Sequence, residues 1–510
     1  MARFYITTAI DYANGDPHIG HAYEKIGADA IARFHRMAGA DVHFLIGMDE
    51  HGQKVAQTAE ARGITPQNQV DVVAARFLET WRRLGISHDQ FIRTTDPRHI
   101  AGVRALLERI FERNPDDFFE RSYEGWYCVG CEAFKQDAEI ADGKCLLHPT
   151  RTLEWVKERN WFFKLSRYQD FLRAHIERHR EFIQPESRRN EVLGWLDQGL
   201  EDVSASRSRF SWGVPFPRPT SDGEQQTTYV WFDALPNYLT ATGFPDPISE
   251  RRWPASLHVV GKDITRFHAV IWPAMLQAAG LPLPERVWAH GFVLLGGDRF
   301  SKSAGVKLDL DEAIDRFGPD AFRYFLLREV PFDADGNFSW ERFEDRYTSD
   351  LANAWGNLVS RTAAMIEKYR GGQTPAAPTG TADAADAAAV EEYRSFMDGS
   401  RGYLLHEALN VVWRMVARSN EFVQATAPWV LAKSSEKAAQ LDATLAALSR
   451  QIAIRAVLIW PFMPGKSEEA WRTIGGRQAL GEVTLSSLAS LDTRGWNVSK
   501  GDSLFPKPER

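Results

Sequence analysis

The sequence predicts an α/β protein with a doubly wound parallel sheet, followed by an all-α helical bundle. Two apolar runs, residues 4–10 and 42–47, each lead through a turn into an amphipathic helix. This β-α-β-α order is typical of parallel sheets. Beyond a linker rich in Pro, Gly, Ala and Thr near residues 371–385, apolar side chains recur at helical spacing over 405–416 and 441–452. We therefore expect a Rossmann-like core and a C-terminal bundle.

The α/β pattern is interrupted in the middle of the chain. It breaks at residues 114–117, and an aromatic-rich stretch with all three cysteines follows before apolar strands resume near Thr227. We interpret this stretch as an insertion. The predicted units are the first half of the sheet domain, the insertion, the second half of the sheet domain, a connector and the helical domain, at residues 1–115, 116–225, 226–325, 326–350 and 351–510.

Composition places the chain among ordinary folded proteins. Of its 510 residues, 44% are hydrophobic and 25% are charged, close to the average of globular domains. No apolar run is long enough for a membrane span, and the start of the chain lacks a signal-peptide pattern. An odd number of cysteines argues against a disulfide framework, so we expect a cytoplasmic protein with no membrane partner. The net charge of −7 gives no overall sign of nucleic-acid binding.

The turn after the first strand, from Tyr12 to His21, is the first candidate for chemistry. It puts His18, Gly20 and His21 at the first turn of a helix. A helix N-terminus above the carboxyl ends of parallel strands is a natural phosphate site. Gly20 leaves room for a flat ring against the backbone, and the histidines can donate hydrogen bonds to phosphate oxygens. Half of a metal site and two surface histidines are the alternatives.

The three cysteines form a self-contained pattern with one histidine. Cys128 and Cys131 lie three residues apart, as do Cys145 and His148, with thirteen residues between the pairs. Two such turns can direct four donors at one tetrahedral zinc ion. Four protein ligands would close the coordination shell, so a zinc ion here would be structural rather than catalytic. The alternative is three unrelated buried thiols.

A loop between Gly296 and Gly305 is a second candidate for phosphate chemistry. It follows a strand predicted over residues 287–295, and its glycines bracket a small, polar and cationic stretch. Lys302 offers a compact charge for a transferring phosphoryl group, and backbone amides near the two serines add donors. By itself such a loop is also typical of a solvated turn.

Together these motifs resemble the two signatures of class I aminoacyl-tRNA synthetases. His18-Ile-Gly-His is followed about 280 residues later by Arg299-Phe-Ser-Lys-Ser, and then by a helical bundle. The stretch Tyr229-Val-Trp-Phe-Asp-Ala-Leu-Pro-Asn-Tyr and the zinc knuckle resemble the methionyl-tRNA synthetase family in particular. Further matching stretches are Thr8-Ala-Ile-Asp-Tyr-Ala-Asn-Gly, Met48-Asp-Glu-His-Gly, Val260-Gly-Lys-Asp-Ile and Ala427-Pro-Trp-Val. The resemblance covers essentially the whole chain.

The resemblance implies a methionine–tRNA ligase. Methionine and ATP would give methionyl-adenylate and pyrophosphate, and the terminal ribose of tRNA(Met), initiator tRNA included, would then accept methionine for translation. Mg²⁺ would accompany ATP, and one structural Zn²⁺ would occupy the knuckle. The implied catalytic residues are His18, His21 and Lys302. The implied ATP-binding residues are His18, Gly20, His21, Arg299, Ser301, Lys302 and Ser303.

The methionine pocket is also implied by the resemblance. A thioether is weakly polar and polarisable, so apolar and aromatic side chains suit it. Asp49 would bind the substrate ammonium group. Arg207 would support that aspartate and help to bind ATP. The implied lining is Ile10, Tyr12, Trp231, Ala234, Leu235, Tyr238 and His290.

The helical domain is implied to read the CAU anticodon. Asn357 and Arg361 would hydrogen-bond to anticodon bases, and one unstacked base would lie on Trp429. The connector at residues 326–350 would contact the tRNA stem. Because the chain ends at Arg510, directly after the bundle and without the dimerising domain of some relatives, we expect a monomer.

Several positions depart from the pattern of the family. Arg299 and Phe300 replace a lysine and a methionine, and Val306 replaces a common asparagine. Ala9 and Asp11 stand where relatives often carry proline and tyrosine. These changes bear on loop dynamics and inhibitor sensitivity more than on substrate identity.

Two other functions stay open on the sequence alone. One is a catalytically retired paralogue that binds RNA, and the other is a ligase that forms the aminoacyl-adenylate without using tRNA. The presence of His18, His21, Asp49 and Lys302 argues against the first. The implied anticodon residues argue against the second. Synthetases for leucine, isoleucine or valine usually carry a far larger insertion, and cysteinyl-tRNA synthetase needs an open zinc position.

Overall fold

The computed structural model of the protein describes residues 2–129, 131, 133–208, 211–295, 298–299, 309–376 and 381–506. Its N-terminal part alternates strands and helices in the order that the sequence predicts. The elements are β1 (Arg3–Thr8), β2 (Asp11–Tyr12), α1 (Ile19–Met37), β3 (Asp41–Asp49), α2 (Gln53–Ala61), α3 (Pro66–Arg83), β4 (Gln90–Arg93) and α4 (Pro97–Arg113).

The next part is built mainly from short strands. Its elements are β5 (Phe118–Cys128), β6 (Ala133–Lys135), β7 (Ile140–Ala141), β8 (Lys144–Cys145), β9 (His148–Thr152), β10 (Glu154–Phe163), α5 (Gln169–Arg178), β11 (Ile183–Gln184), α6 (Glu186–Gln198), β12 (Val203–Ser204) and β13 (Ser206–Arg207). The long strands β5 and β10 pair antiparallel, with β6 and β12 at the sides.

The α/β pattern then resumes. The elements are β14 (Thr227–Thr228), α7 (Val230–Ala234), α8 (Asn237–Thr240), β15 (Leu257–Gly261), α9 (Trp272–Ala279), β16 (Val287–His290), β17 (Val293–Leu295) and β18 (Asp298–Arg299). A π-helical turn at Phe267–Ile271 leads directly into α9.

The remaining chain is helical apart from one short strand. Its elements are α10 (Leu310–Phe317), α11 (Pro319–Glu329), β19 (Gly336–Phe338), α12 (Trp340–Arg346), α13 (Asn357–Arg370), α14 (Thr381–Met397), α15 (Leu405–Thr426), α16 (Pro428–Leu431), α17 (Ala438–Ile459) and α18 (Pro464–Thr473). Among the described helices, none is both long enough and apolar enough to cross a bilayer.

The central sheet confirms the predicted parallel core. Its seven strands have the order β11-β16-β15-β1-β3-β2, with β4 also paired to β3, and every pairing is parallel. Strand β11 comes from within residues 116–225, so part of the predicted insertion extends the sheet. Crossover helices cover the sheet, and the carboxyl ends of its strands form one edge, where ligands bind in such folds.

Two sequence predictions about element bounds are wrong. The run 287–295 is two strands in different sheets, with Gly291 and Phe292 between them. The backbone of Ala334 approaches Gly291 so closely that any side chain there would collide with it. The linker predicted near 371–385 also ends earlier, since α14 begins at Thr381. Alanine is the best helix former, and residues 381–385, the last five of the predicted linker, are alanine-rich and helical.

The sheet domain and the bundle share one apolar core, which runs from β1 to the last described residues. A fully buried Arg323 on α11 fastens the junction. Its guanidinium donates to Asp29 Oδ2 on α1 at 2.7 Å, to the carbonyl of Leu84 at 3.2 Å, and to those of Pro461 and Phe462 at 2.8 Å each. A buried guanidinium is tolerated only with its donors satisfied, so these four contacts fix the two units against each other.

Candidate active site

The start of α1 is capped by two histidines. The backbone N–H of Gly20 donates to Nδ1 of His18 at 3.1 Å, and the backbone N–H of His18 donates to Nδ1 of His21 at 3.3 Å. The two rings stack with centroids 3.6 Å apart. The pair thus forms a reciprocal capping box in which imidazole nitrogens take the place of the usual oxygens.

This cap determines which ring nitrogen carries the proton. An Nδ1 that accepts a backbone N–H bears no hydrogen, so the proton of each neutral ring lies on Nε2. Both histidines therefore present an Nε2–H donor at a helix N-terminus. Such a pair of donors, added to the helix dipole, can stabilise negative charge on phosphate oxygens.

Three consecutive polar residues lie where β3 passes into the next loop, and each is buried. Asp49 ends the strand, and its carbonyl accepts from the backbone of Ala13 at 2.8 Å. Glu50 pairs with Arg93 at 2.5 Å. His51 Nδ1 lies 2.7 Å from Asp233 Oδ2. The predicted ammonium ligand Asp49 thus ends a strand, and the two residues after it are fixed by Arg93 and Asp233.

Aromatic side chains gather on α7, α8 and the π-helical turn. Trp231 stacks on Phe267 with ring centroids 3.6 Å apart and planes at 7°. Tyr238 Oη lies 2.7 Å from His268 Nε2, and His268 Nδ1 donates to the carbonyl of Ile264 at 3.0 Å. Burial lowers the pKa of His268 to about 4, so the ring is neutral and its Nε2 accepts from the tyrosine hydroxyl.

The predicted lining residues divide between two neighbouring groups. Leu235 and Tyr238 belong to one apolar cluster, against which Ile10, Trp231 and Phe267 pack. Ala234 is buried on α7. Tyr12 lies on β2, where it is the register partner of Asp49 on β3. His290 ends β16, and its Nε2 lies 3.1 Å from Glu24 Oε2.

A buried ion network joins α1 to β2 and to the chain just before it. Lys25 Nζ donates to Asp11 Oδ1 at 2.5 Å, to Glu24 Oε1 at 2.9 Å and to the carbonyl of Ala9 at 2.9 Å. Burial raises the pKa of Asp11 to about 7 despite the nearby Lys25 charge. Burial acts against the charged form of Glu24 too, but Lys25 and His290 hold its pKa below the ordinary value. The network fastens β1, β2 and α1 together.

Arg207 contacts residues of the predicted insertion and the residue before α7. It is buried on β13, where its Nη1 donates to Ser204 Oγ at 2.6 Å and to the carbonyl of Ser206 at 2.8 Å. Its guanidinium lies 4.0 Å from the centroid of the Tyr229 ring, which precedes α7. These contacts place Arg207 against the start of the helix that carries Trp231.

Part of the predicted phosphate loop lies outside the described residues. This applies to Phe300, Ser301, Lys302, Ser303 and Val306. The backbone of Arg299 is described in β18, paired with Leu294 of β17.

The four predicted metal ligands meet in one cluster. The Sγ atoms of Cys128, Cys131 and Cys145 and a ring nitrogen of His148 all lie within 4.8 Å of one another. Cys131 Sγ is 3.6 Å from Cys145 Sγ and 3.2 Å from His148 Nδ1. A tetrahedral zinc with Zn–S bonds of about 2.3 Å separates its sulfur ligands by about 3.8 Å. The donor set and its spacing therefore fit a closed tetrahedral metal site.

The predicted anticodon residues come together on the bundle surface. Asn357 and Arg361 lie one helical turn apart on α13, and the Arg361 guanidinium is 5.9 Å from the centroid of the Trp429 ring. Trp429 remains 38% exposed on the short helix α16. Ala427, just before it, has a φ of 42°, a left-handed conformation that is uncommon for alanine. This turn presents a flat aromatic face beside a cation.

Sequence reasoning missed several residues that shape the site. Phe267 and His268 follow the matched stretch that begins at Val260, so their position next to a motif was an available signal. Asp233 lies within the matched stretch that begins at Tyr229, which assigns it no role of its own. His99 lies in no matched stretch, and it meets Asp233, 134 residues away, only through the fold.

Known proteins resemble the chain over its whole length. Methionine–tRNA ligase of Caldanaerobacter subterraneus is 43% identical over 515 residues, which cover 99% of this chain and 78% of the relative. That of Streptomyces coelicolor is 41% identical and covers 99% and 97%. Methionyl-tRNA synthetase of Mycobacterium tuberculosis in complex with methionyl-adenylate is 40% identical with a TM-score of 0.93, covering 99% of this chain and 100% of that one. Its apo form has a TM-score of 0.86 at 38% identity, covering 100% and 99%.

Family models divide the chain into two matched parts. The model for tRNA synthetases class I (M) matches residues 4–363. Together with the parallel sheet and the histidine-capped helix, this match defines a class I aminoacyl-tRNA synthetase. A second model, for the anticodon binding domain of methionyl tRNA ligase, matches residues 372–509. The chain belongs to the methionyl-tRNA synthetase family. The predicted fold class and the predicted activity, a methionine–tRNA ligase, are confirmed.

Proposed function

We propose that the chain forms methionyl-adenylate at the carboxyl edge of its sheet and transfers methionine to tRNA(Met). One observation carries this proposal: the turn that leads from β1 to the histidine-capped start of α1 contacts Asp49 through the Ala13 N–H, and its Ile10 packs against the same apolar cluster as Trp231. A phosphate-binding element and a carboxylate next to an apolar pocket are what methionine and ATP together require. The adenylate complex of the Mycobacterium tuberculosis enzyme, with its TM-score of 0.93, supports the same assignment.

In the first step, a methionine carboxylate oxygen attacks the α-phosphorus of ATP. A bond forms between the carboxylate oxygen and the α-phosphorus. The bond from the α-phosphorus to the oxygen that bridges to the β-phosphate breaks, and pyrophosphate leaves with the bonding electrons. The Nε2–H groups of His18 and His21 donate to phosphate oxygens as charge develops on them. Lys302 neutralises the leaving pyrophosphate, assisted by Arg299, Ser301 and Ser303. Mg²⁺ bound with ATP supplies further positive charge on the phosphates.

Substrate positioning supplies the rest of the catalysis, because no covalent enzyme intermediate is needed. Asp49 holds the methionine ammonium, and Gly20 leaves space for the adenine ring. The side chain of methionine lies among Ile10, Tyr12, Trp231, Ala234, Leu235, Tyr238 and His290. Arg207 supports Asp49 and ATP binding, and its contact with Tyr229 orders the start of α7.

In the second step, the terminal ribose hydroxyl of tRNA(Met) attacks the methionyl carbonyl, and AMP leaves. The bundle selects the tRNA through Asn357, Arg361 and Trp429, on which an unstacked anticodon base lies. We place this reaction in the cytoplasm, where the three free cysteines stay reduced. The monomeric state and the domain bounds given above remain predictions.

The direct test has two parts. ATP–pyrophosphate exchange is measured with each of the twenty amino acids, and methionine is expected to give the strongest exchange. Charging is then measured with tRNA(Met) transcripts that carry CAU or a changed anticodon. Only the CAU transcript is expected to be charged efficiently. Stronger exchange with another amino acid would refute the substrate, and equal charging of both transcripts would refute the role of the bundle.

We also propose that the cysteine cluster holds one structural zinc ion. Its four protein ligands leave no position for a substrate, so the ion would stabilise the short strands around β7, β8 and β9 rather than act in catalysis. Among the described residues, the apolar cluster of this segment consists of Cys128, Cys145 and Leu153, with Cys131 and Ile140 packed against it. A metal therefore supplies the core that this segment otherwise lacks.

Replacing Cys145 with alanine is expected to remove this zinc. A site with three of its four ligands binds far more weakly, so the zinc content should fall from about one ion per chain to near zero. Inductively coupled plasma mass spectrometry measures the metal, and limited proteolysis should then cut between residues 128 and 152. His175→Ala is the control, since His175 lies on α5 outside the cluster. Metal-free wild-type protein, or a zinc-loaded Cys145→Ala variant, would contradict the assignment.

A further inference from the structure

Asp233 is a completely buried carboxylate in the middle of α7. This helix has five residues, and Trp231, Ala234 and Leu235 lie on it or directly after it. A helix this short is not stable by itself, because one turn of hydrogen bonds does not offset the entropy of nucleation. The position of these side chains must therefore be set by contacts from outside the helix.

Both oxygens of Asp233 are occupied by imidazoles from other elements. Oδ2 lies 2.7 Å from Nδ1 of His51, two residues after Asp49, and Oδ1 lies 2.9 Å from Nε2 of His99 on α4. Although burial alone would raise it, the two histidines lower the pKa of Asp233 to about 2. The carboxylate is therefore ionised, it can only accept, and both ring nitrogens must donate.

Each of the two histidines also contacts a residue other than Asp233. His99 Nδ1 lies 2.9 Å from Thr240 Oγ1 on α8. The ring of His51 meets Trp212 edge to face at 5.5 Å, and the indole N–H of Trp212 donates to the carbonyl of Glu50 at 2.7 Å. The loop after β3 thus stays anchored on its far side by Trp212. Asp233 is the link from that loop to α7.

We propose that Asp233 is a positioning residue for methionine recognition: it sets the distance between the ammonium site at Asp49 and the side-chain pocket at Trp231. This inference rests on the proposed function. One methionine must reach both places at once, so a shift of α7 against the β3 loop spoils the match between the two subsites. The ATP side depends on the cap of α1, whereas the side-chain partners that the structure gives Asp233 are His51 and His99.

Asp233→Asn is the first test. The amide matches the carboxylate in shape, but its NH₂ group faces a ring N–H, so one of the two hydrogen bonds is lost. The KM for methionine in ATP–pyrophosphate exchange is expected to rise about ten- to hundredfold, the scale of one charge-assisted hydrogen bond. The KM for ATP is expected to stay within about threefold. Thermal unfolding is followed in parallel.

Asp117→Asn is the matched control. Asp117 is equally buried and also accepts from two side chains, Arg167 and Tyr168, but it lies at the base of the insertion. Its variant is expected to lose stability without any change in the KM for methionine. An equal rise in KM in both variants would reduce Asp233 to a general structural role and overturn the proposal.

A second test does not require that Asp233→Asn folds. It compares asparagine and glutamine replacements at His51 and at His99, which use different ring nitrogens. An asparagine amide reaches the place of a histidine Nδ1, and a glutamine amide reaches that of Nε2. His51→Asn and His99→Gln are therefore expected to keep the methionine KM close to that of the wild type. His51→Gln and His99→Asn are expected to raise it about tenfold or more. If the same replacement, asparagine or glutamine, gave the lower methionine KM at both positions, the proposal would be overturned.

Failure of this inference is separable from failure of the proposed function. A wild-type chain without methionine-dependent exchange would refute the proposed function itself. A wild-type chain with normal exchange, together with an Asp233→Asn variant whose KM values are unchanged, would refute only the positioning role.

Discussion

Replacing His21 with alanine is expected to slow methionine-dependent ATP–pyrophosphate exchange by roughly 10²–10³-fold, the scale of removing one preorganised transition-state donor. The loss should fall on kcat more than on KM, because the Nε2–H donor is most useful when charge develops on the phosphate. Steady-state exchange at varied ATP and methionine measures both constants.

Two further variants separate the cap from the chemistry. In the wild type, the backbone N–H of His18 donates to Nδ1 of His21 at 3.3 Å. His21→Asn keeps an acceptor for this N–H but loses the Nε2–H donor. His21→Gln keeps a donor near Nε2 and weakens the cap. We expect the glutamine variant to be the faster enzyme and the asparagine variant to be the more stable protein.

Thr65→Ala is the control for a lost cap. The Thr65 hydroxyl accepts the backbone N–H of Asn68 at the start of α3 at 3.2 Å, with no part in the proposed site. The Thr65→Ala variant should lose about 1 kcal/mol in free energy of unfolding, with no loss in the rate of ATP–pyrophosphate exchange. An His21→Ala enzyme that exchanges at a rate close to that of the wild type would remove His21 from the catalytic group.

The fold was predictable where a local pattern decides it. The β-branched and apolar runs of β1 and β3 favour buried parallel strands, and the periodic apolar residues of α15 and of the first half of α17 predict helices with one apolar side. The second half of α17, residues 451–459, is buried on all sides. The cysteine pattern was predictable for the same reason, since ligand spacing is a local property of two turns. These features need no information about which distant segments meet.

The rest depends on long-range partners. Lys25 and Asp29 sit among the polar positions of α1, yet both are fully buried, because Asp11 and Arg323 reach them from other elements. No spacing within the chain announces such a pair. The same holds for His51, whose partner Asp233 is 182 residues away.

Replacing Lys302 with alanine is expected to produce the second large loss, roughly 10²–10⁴-fold in the rate of adenylate formation. The leaving pyrophosphate carries several negative charges, and a compact ammonium group beside it lowers the energy of the transition state more than that of bound ATP. Lys302→Arg keeps the charge but spreads it over a planar fork, so its rate should lie between those of the wild type and the alanine variant.

The second half-reaction makes this prediction specific. Transfer of methionine from preformed methionyl-adenylate to tRNA(Met) releases AMP and no pyrophosphate, so Lys302→Ala should transfer at close to the wild-type rate in a single turnover. Lys307→Ala is the matched control, a cation five residues later that belongs to no matched motif. Equal losses in both half-reactions, or an equal loss in the Lys307→Ala variant, would contradict a specific role of the Lys302 charge in the departure of pyrophosphate. Loss confined to the first half-reaction places the Lys302 charge on the pyrophosphate as it leaves.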